Sequence, residues 1–491
     1  MVTTVRGGGA TLGVRVSSNS EYSKLLVTGT ATLVDNTTID VDAAAGLSLG
    51  KLADVIQATG GLTSSGIKVT DNSALFDFSA EKRDNSIDLV IKRAGSGGGS
   101  TGGDKKPVYL EQIVKDNKGS VPLASQDAAR VLDNITDRLV ASGNAGAMAP
   151  VIDALGKLGT QTELAQAVEQ LTPALPSAAL SAVSDSLGAI NRVVQARVEG
   201  NIGLSSGDEP SAERYVWVKP FGSYAKQDAR SETAGFKANT GGLVFGADAE
   251  ISPKLRLGAA LAYAHSDVDG KSASAPQSSK VDVYQLIGYG SVQLDGNTEL
   301  NFQLDGGRNR NQGERQLSFM GVKASSDYDS LSYHMGAGIG RTFALPREIT
   351  TTPSLRLDYT RIKEDGYSET GAGAANLING KRSVEQTLLA VDNRMTLPLN
   401  ARQSVSLNAG AAYDLMNDGA VLTSAFAGES SALFSTEASG QSRWLWRAGI
   451  GHTYKADTGK GGLELSTRLD GEWRKGGYSN ATASVKARYA Y

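Results

Sequence analysis

From residue 243 to residue 473 the chain repeats one pattern, an alternation of apolar and polar positions with period two. In 243–251, Leu243, Phe245, Ala247, Ala249 and Ile251 alternate with Val244, Gly246, Asp248 and Glu250. In 255–264, Leu255, Leu257, Ala259, Leu261 and Tyr263 oppose Arg256, Gly258, Ala260, Ala262 and Ala264. The same holds for 298–305, 353–360, 405–415 and 463–473. Successive side chains of an extended strand point to opposite faces, so each run predicts a two-faced strand. Runs of about 9–11 residues are long enough to cross a bilayer at a slant. Tight connections at 252–254, 295–297, 400–402 and 457–459 alternate with longer ones at 228–238, 269–278, 311–327, 365–382 and 417–440. Short turns on one side and long loops on the other predict a closed transmembrane β-barrel of about 12 strands with both ends on the short-turn side.

The inward positions carry small residues, as in Gly336-x-Gly338-x-Gly340, which leave room for a guest such as a helix. They also carry charges of both signs: Asp248, Arg256, Arg356, Asp358, Arg394, Asp414, Arg447, Arg468 and Glu472. These either pair with Arg192 and Arg197 upstream or form ladders between strands. Trp444, Trp446 and Trp473 fall at the outer rim. Trp217, Tyr289, Phe343, Tyr454, Tyr489 and Tyr491 are expected at the inner one, as two aromatic girdles.

Upstream the pattern changes. Residues 1–93 hold short β-rich runs broken at Gly29 and Asp35-Asn36, suggesting a stacked β-solenoid or a small sandwich. Residues 94–106 read as a flexible Gly/Ser linker. Residues 107–204 are helical in pattern; Leu180, Val183, Leu187, Ile190 and Val194 make one apolar stripe. The barrel occupies 205–491. The predicted fold class is mainly β: a 12-stranded transmembrane barrel with a pore-threading helix, preceded by a short β-solenoid and a helical segment. The packing of 107–170 is open, either a helical hairpin outside the pore or partly disordered chain.

Composition agrees with a barrel. No run of about 18 apolar residues exists, so no transmembrane helix is predicted. The net charge of −3 gives no general attraction to nucleic acid. Cysteine is absent among the 491 residues, as suits a chain that crosses an oxidising compartment unfolded. Met1 is not followed by a basic stretch and an apolar core, so the natural chain is expected to extend upstream to a signal peptide.

These residues resemble the autotransporters of the type V secretion family. The resemblance is carried by Tyr215-Val-Trp-Val-Lys-Pro-Phe-Gly-Ser-Tyr224, Gly241-Gly-Leu-Val-Phe-Gly-Ala-Asp248, Leu355-Arg-Leu-Asp-Tyr-Thr-Arg361 and the terminal Ser484-Val-Lys-Ala-Arg-Tyr-Ala-Tyr491, in that order. Residues 21–93 look like the C-terminal end of a β-helical passenger that assists passenger folding, and Ala189-Ile-Asn-Arg-Val-Val-Gln-Ala-Arg197 looks like the helix that threads the pore. The resemblance implies an outer-membrane translocator that exports its own N-terminal passenger to the cell surface. It makes Asn191, Arg192 and Arg197 the expected pore-helix contacts, and Val485, Tyr489 and Tyr491 the signal read by the barrel-assembly machinery. The implied partners are that machinery, periplasmic chaperones, outer-membrane lipids and a host-surface or matrix ligand of the passenger, with no nucleic acid and a monomeric state. Members that release their passenger often do so at an Asn-Asn pair; here Asn191 precedes Arg192, so the passenger either stays attached or is cut elsewhere.

Catalytic motifs are weak. Gly98-Gly-Ser-Thr-Gly102 has the form of a hydrolase elbow but sits in the Gly/Ser linker without a preceding strand. Gly46-Leu-Ser-Leu-Gly50-Lys51 is one residue short of a P-loop. His265, expected at a loop end, His334, expected in the lumen, and His452, expected toward lipid, belong to no zinc motif. No enzyme activity, cofactor or metal is expected of this chain. Two other classes stay open: a surface adhesin whose barrel is only the anchor, and the carrier of an enzymatic passenger.

Overall fold

A computed structural model of the chain describes residues 10–17, 20–35, 37–43, 50–95, 107–118, 121–142, 145–173, 176–199, 214–230, 234–416, 421–437, 442–457 and 462–490. The elbow-like sequence 98–102 and most of the 94–106 linker lie outside them, as do Tyr491 and, for its side chain, Arg197.

Twelve strands close the barrel: β1 (Arg214–Gln227), β2 (Phe236–Ser252), β3 (Leu255–Gly270), β4 (Gln277–Gln293), β5 (Thr298–Leu317), β6 (Val322–Arg341), β7 (Thr350–Glu364), β8 (Arg382–Asn400), β9 (Gln403–Asp414), β10 (Trp444–Asp457), β11 (Gly462–Arg474) and β12 (Tyr478–Ala490). Each pairs antiparallel with its sequence neighbours, and β1 pairs with β12, so no edge remains open. Closure satisfies every ladder internally, which a lipid environment demands. The outward set is the one the alternation gives: Leu261 is 62% exposed and Leu304 64%, whereas Ala260, Ala262 and Asp305 are buried. Exposed leucines in such a ring form a lipid-facing belt. Trp444, Trp446 and Trp473 face outward near the end of the barrel opposite the termini.

Three expectations change. The connection at 311–327 is no loop: β5 and β6 run on as a hairpin of two twenty-residue strands and turn at 318–321. His265 lies inside β3 rather than at a loop end, and its Nδ1 is 2.8 Å from Asp282 Oδ1. In both places the alternation simply continues above the bilayer. Trp217 and Tyr289 do not join the inner-rim girdle; both are buried and point into the lumen.

The described strands between Thr11 and Asp71 form coils of parallel strands. Thr11–Val16, Thr37–Ala43 and Ile67–Asp71 stack in register, as do Leu25–Val27 on Lys51–Ala58 and Ala31–Leu33 on Leu62–Ser64. This is a β-solenoid rather than a sandwich. Its inward residues include Val14, Val16, Ile39, Val41, Leu52 and Ile56, all nearly inaccessible. The hairpin Phe76–Arg83/Ser86–Arg93 ends the stack, because Ser86–Arg93 pairs antiparallel with the Lys51–Ala58 strand.

Four short helices follow: α1 (Leu110–Asp116), α2 (Gln126–Ser142), α3 (Ala149–Gly156) and α4 (Gln161–Gln170). In α2 the spacing of Ala128, Val131, Leu132, Ile135 and Leu139 makes one buried face. Asp133 accepts the backbone N–H groups of Leu110 (2.9 Å) and Glu111 (3.0 Å), which caps α1, and pairs with buried Arg93 at 2.8 Å. Solenoid and helices thus share one core, and that core continues into the outer connections of the barrel. Helices α1–α4 form a layer outside the pore.

Candidate functional site: the occupied pore

The fifth helix, α5 (Pro176–Glu199), enters the barrel. Its 24 residues span about 36 Å at 1.5 Å per residue, enough to cross the hydrocarbon core. It lies against β1–β5 and β12. Val183, Leu187, Ile190 and Val194 pack on an apolar inner wall that includes Phe221, Phe236, Val244, Ala262, Val283 and Ile287. A fully buried aliphatic side chain contributes on the order of 2 kcal/mol, so this stripe holds the helix to one wall. Alanines at Ala260, Ala262 and Ala264 leave the space it fills.

The opposite face of α5 is polar. Arg192 Nη1 is 2.5 Å from Glu472 Oε2, and Arg192 Nη2 donates to Thr482 Oγ1 at 3.1 Å. Tyr478 donates to Asp185 Oδ1 at 2.6 Å, and Gln303 Nε2 to Asn191 Oδ1 at 2.8 Å. Of the expected helix contacts, Asn191 and Arg192 therefore meet barrel partners. The remaining inward charges mostly pair along the wall: Arg256 with Asp248, Arg356 with Asp358, Arg447 with Asp392 and Arg468 with Asp470. Both arrangements that the sequence allowed are present. His334 lies in the lumen between Asp305 (2.6 Å) and Asp358 (3.0 Å).

The Gly336, Gly338 and Gly340 triplet faces the lumen, but Gly336 and Gly338 make room for these side chains rather than for the helix. A Cβ on Gly336 would collide with Asp358 and Arg356. Between the polar face of α5 and this wall remains a polar cavity of about 60 Å³ lined by Arg192, Asp392, Arg447, Arg468, Asp470 and Glu472.

Sequence reasoning missed the cluster around Trp217. Its indole N–H donates to Tyr289 Oη (2.7 Å), which donates to Asp248 Oδ2 (2.9 Å). The indole lies over Gly246 and the Tyr289 ring over Gly258, where side chains would overlap the rings. Parity was the available signal: Lys219 shares a face with Trp217, and a lysine in mid-strand belongs in the lumen rather than in lipid. On the final strand Val485 and Tyr489 face outward, at 50% and 39% exposure, and Lys486 and Arg488 face inward.

A closed barrel with a lipid belt and a helix through its lumen defines an outer-membrane protein whose own chain passes its pore. The sequence pattern of the autotransporter β-domain matches residues 216–489, more than half of the chain, and the chain belongs to the autotransporter family. It is an outer-membrane translocator that anchors a passenger displayed at the bacterial cell surface. Among its relatives, outer membrane protein A of Rickettsia rickettsii is 29% identical over 259 residues, covering 50% of this chain and 12% of the relative. Outer membrane protein B of Rickettsia prowazekii (strain Madrid E) is 26% identical over 320 residues, covering 61% and 19%. The chain thus spans less than a fifth of the length of these two relatives. The translocator domain of autotransporter NalP from Neisseria meningitidis is 16% identical with a TM-score of 0.49, over 62% of this chain and 98% of that one.

Proposed function

We propose that residues 1–93 are the C-terminal part of the passenger, folding outside the cell and assisting the folding of what precedes them. Residues 94–106 then serve as a linker, and the segment 107–204 ends in the helix left in the pore once export is complete. The carrying observation is α5 itself: it joins solenoid and helices at one end of the barrel to β1 at the other. No nucleotide site is required, because folding outside biases the direction of passage. Asn191, Arg192 and Arg197 hold the helix in place. Val485, Tyr489 and Tyr491 form the signal by which the barrel-assembly machinery receives the chain, after periplasmic chaperones and before insertion among outer-membrane lipids. The chain acts as a monomer and does no catalysis.

Protease shaving of intact cells tests the export reading. Residues 1–93 should be digested while the barrel keeps its heat-shifted gel mobility; protection of 1–93 alongside a properly inserted barrel would defeat it. Replacing Tyr489 and Tyr491 by Asp should block insertion, and normal display of that variant would remove the role given to the last strand.

A second reading, surface adhesion, is favoured by one observation. Exposed polar ladders run between coils, Thr32 with Thr63, Asp40 with Thr70 and Asp42 with Asn72, presenting repeated polar groups to a host-surface or matrix ligand. Binding of displayed cells to matrix-coated plates, lost on shaving, tests it.

A further inference from the structure

The outer connections of a barrel are ordinarily solvated loops. Here they are built to be covered. The hairpin of β5 and β6, the connection 365–381 and the strands Val421–Phe426 and Glu429–Glu437 contribute Leu317, Ala375, Leu377, Phe426 and Phe434. All are buried, in one continuous core with α1–α4. Without the helices these residues would form an exposed apolar patch at the pore mouth, which soluble surfaces avoid.

The seat also contains a buried charge that needs its cover. Arg315, 3% exposed on β5, makes a two-pronged contact with Glu369 (3.1 and 2.5 Å) and donates to the carbonyls of Ala375 (3.0 Å) and Gln170 (2.5 Å). Gln170 is the last residue of α4, so the guanidinium also meets the negative end of that helix. Beside it, Gln170 Nε2 donates to Ser274 O (2.7 Å), Ser274 Oγ donates to Glu169 (2.6 Å), and the Phe319 N–H donates to Gln170 Oε1 (3.3 Å). Arg138 pairs with Glu429, and Met148 packs so closely on Gly428 that a Cβ there would touch its sulfur at 2.8 Å.

Five residues separate Gln170 from Pro176, where α5 begins. At most about 20 Å of chain tethers the helices to the mouth, so docking is intramolecular and strongly favoured. Below, a polar cavity lies beside α5. A layer seated over the outer mouth would shut this cavity off from the outside.

We propose that α1–α4 form a lid which seats on the outer connections and seals the pore above α5, so that the segment last to leave the cell becomes the permeability barrier. The lid meets its seat only after residues 107–172 have emerged, which makes docking the closing step of export.

The test is the conductance of the purified full chain in planar lipid bilayers, with proteolysis between Leu171 and Pro176 reporting lid release. Arg315→Ala and Gly428→Trp lift the lid from two independent contacts; heat-shifted mobility selects variants whose barrel is folded. We expect the tether to become cleavable and the conductance to rise at least fivefold over wild type. Because the chain lacks cysteine, Met148→Cys with Gly428→Cys can lock the lid of the Arg315→Ala chain. Oxidation should return the conductance to the wild-type level and reduction should release it. A cleavable tether with unchanged conductance overturns the seal, and a tether protected in both lifted variants overturns the seat. Surface display is read separately on cells, and its loss would count against export rather than against the lid.

Discussion

The pair formed by Arg192 on α5 and Glu472 on β11 offers the sharpest test of how the pore helix is held. The side chains are 16% and 10% exposed, at 2.5 Å, with Thr482 as a further acceptor for Arg192. Removing one partner of a buried pair leaves an uncompensated charge and costs about 3–5 kcal/mol, whereas removing both together is close to neutral. Arg192→Met and Glu472→Gln should each destabilise the folded barrel by about 3 kcal/mol, and the double variant by about 1 kcal/mol. The coupling in such a cycle is then large, about 5 kcal/mol, beyond the range usual for exposed pairs. The assay is urea unfolding in lipid vesicles, with the folded fraction read from gel mobility without boiling. A coupling below about 0.5 kcal/mol would refute the reasoning, because it would mean that water reaches the pair and that the apolar stripe alone holds α5.

Three further outcomes follow from the same geometry. Ala259 is the middle of the outward run Leu255, Leu257, Ala259, Leu261 and Tyr263 on β3 and therefore lies near the bilayer midplane; Ala259→Arg should cost about 2–4 kcal/mol in the vesicle unfolding assay, and inward Ala262→Ser far less. Gly246→Val should displace Trp217 from its place over the glycine, seen as a red shift of tryptophan emission and a loss of about 2 kcal/mol, comparable to overpacking in a core. Burial raises Asp71 and Asp153 from 3.8 to about 6. A carboxyl whose pKa is raised on folding favours the folded state increasingly as pH falls through that value, so hydrogen-exchange protection of the solenoid and of α3, corrected for intrinsic rates, should increase from pH 7.5 to pH 5. Glu111, held low by Lys115 and Gln126, opposes this only under more acidic conditions.

Much of the barrel was legible because two solvents impose one rule. A strand between lipid and lumen must alternate, and residues such as Leu261 and Asp305 could be assigned a face from parity alone. Parity also assigns Trp217 to the lumen, whereas its residue type, an aromatic near a rim, points the other way. The helix stripe Val183–Leu187–Ile190–Val194 was visible, yet the apolar wall that receives it was not, because Phe221, Val244 and Ile287 look like ordinary strand residues until the sheet closes. The lid was hidden for a different reason. Its contacts join Gln170 to Arg315 and Arg138 to Glu429, and sequence separations of 145 and 291 residues leave no local trace. The glycines of β6 show that a small inward residue does not by itself point to the helix: what lies on Gly336 and Gly338 is Arg356 from the neighbouring strand.

The parallel coils at the start of the chain have a mechanical consequence. Their ladder hydrogen bonds run from coil to coil, so tension applied at the upstream end loads them a few at a time, as a zip is opened. Force would travel down the solenoid until it reached the antiparallel hairpin Phe76–Arg93 and the Arg93–Asp133 junction beneath it. A cell pulled by its surface protein would therefore lengthen that protein coil by coil, dissipating load in small steps before any force reached the membrane anchor.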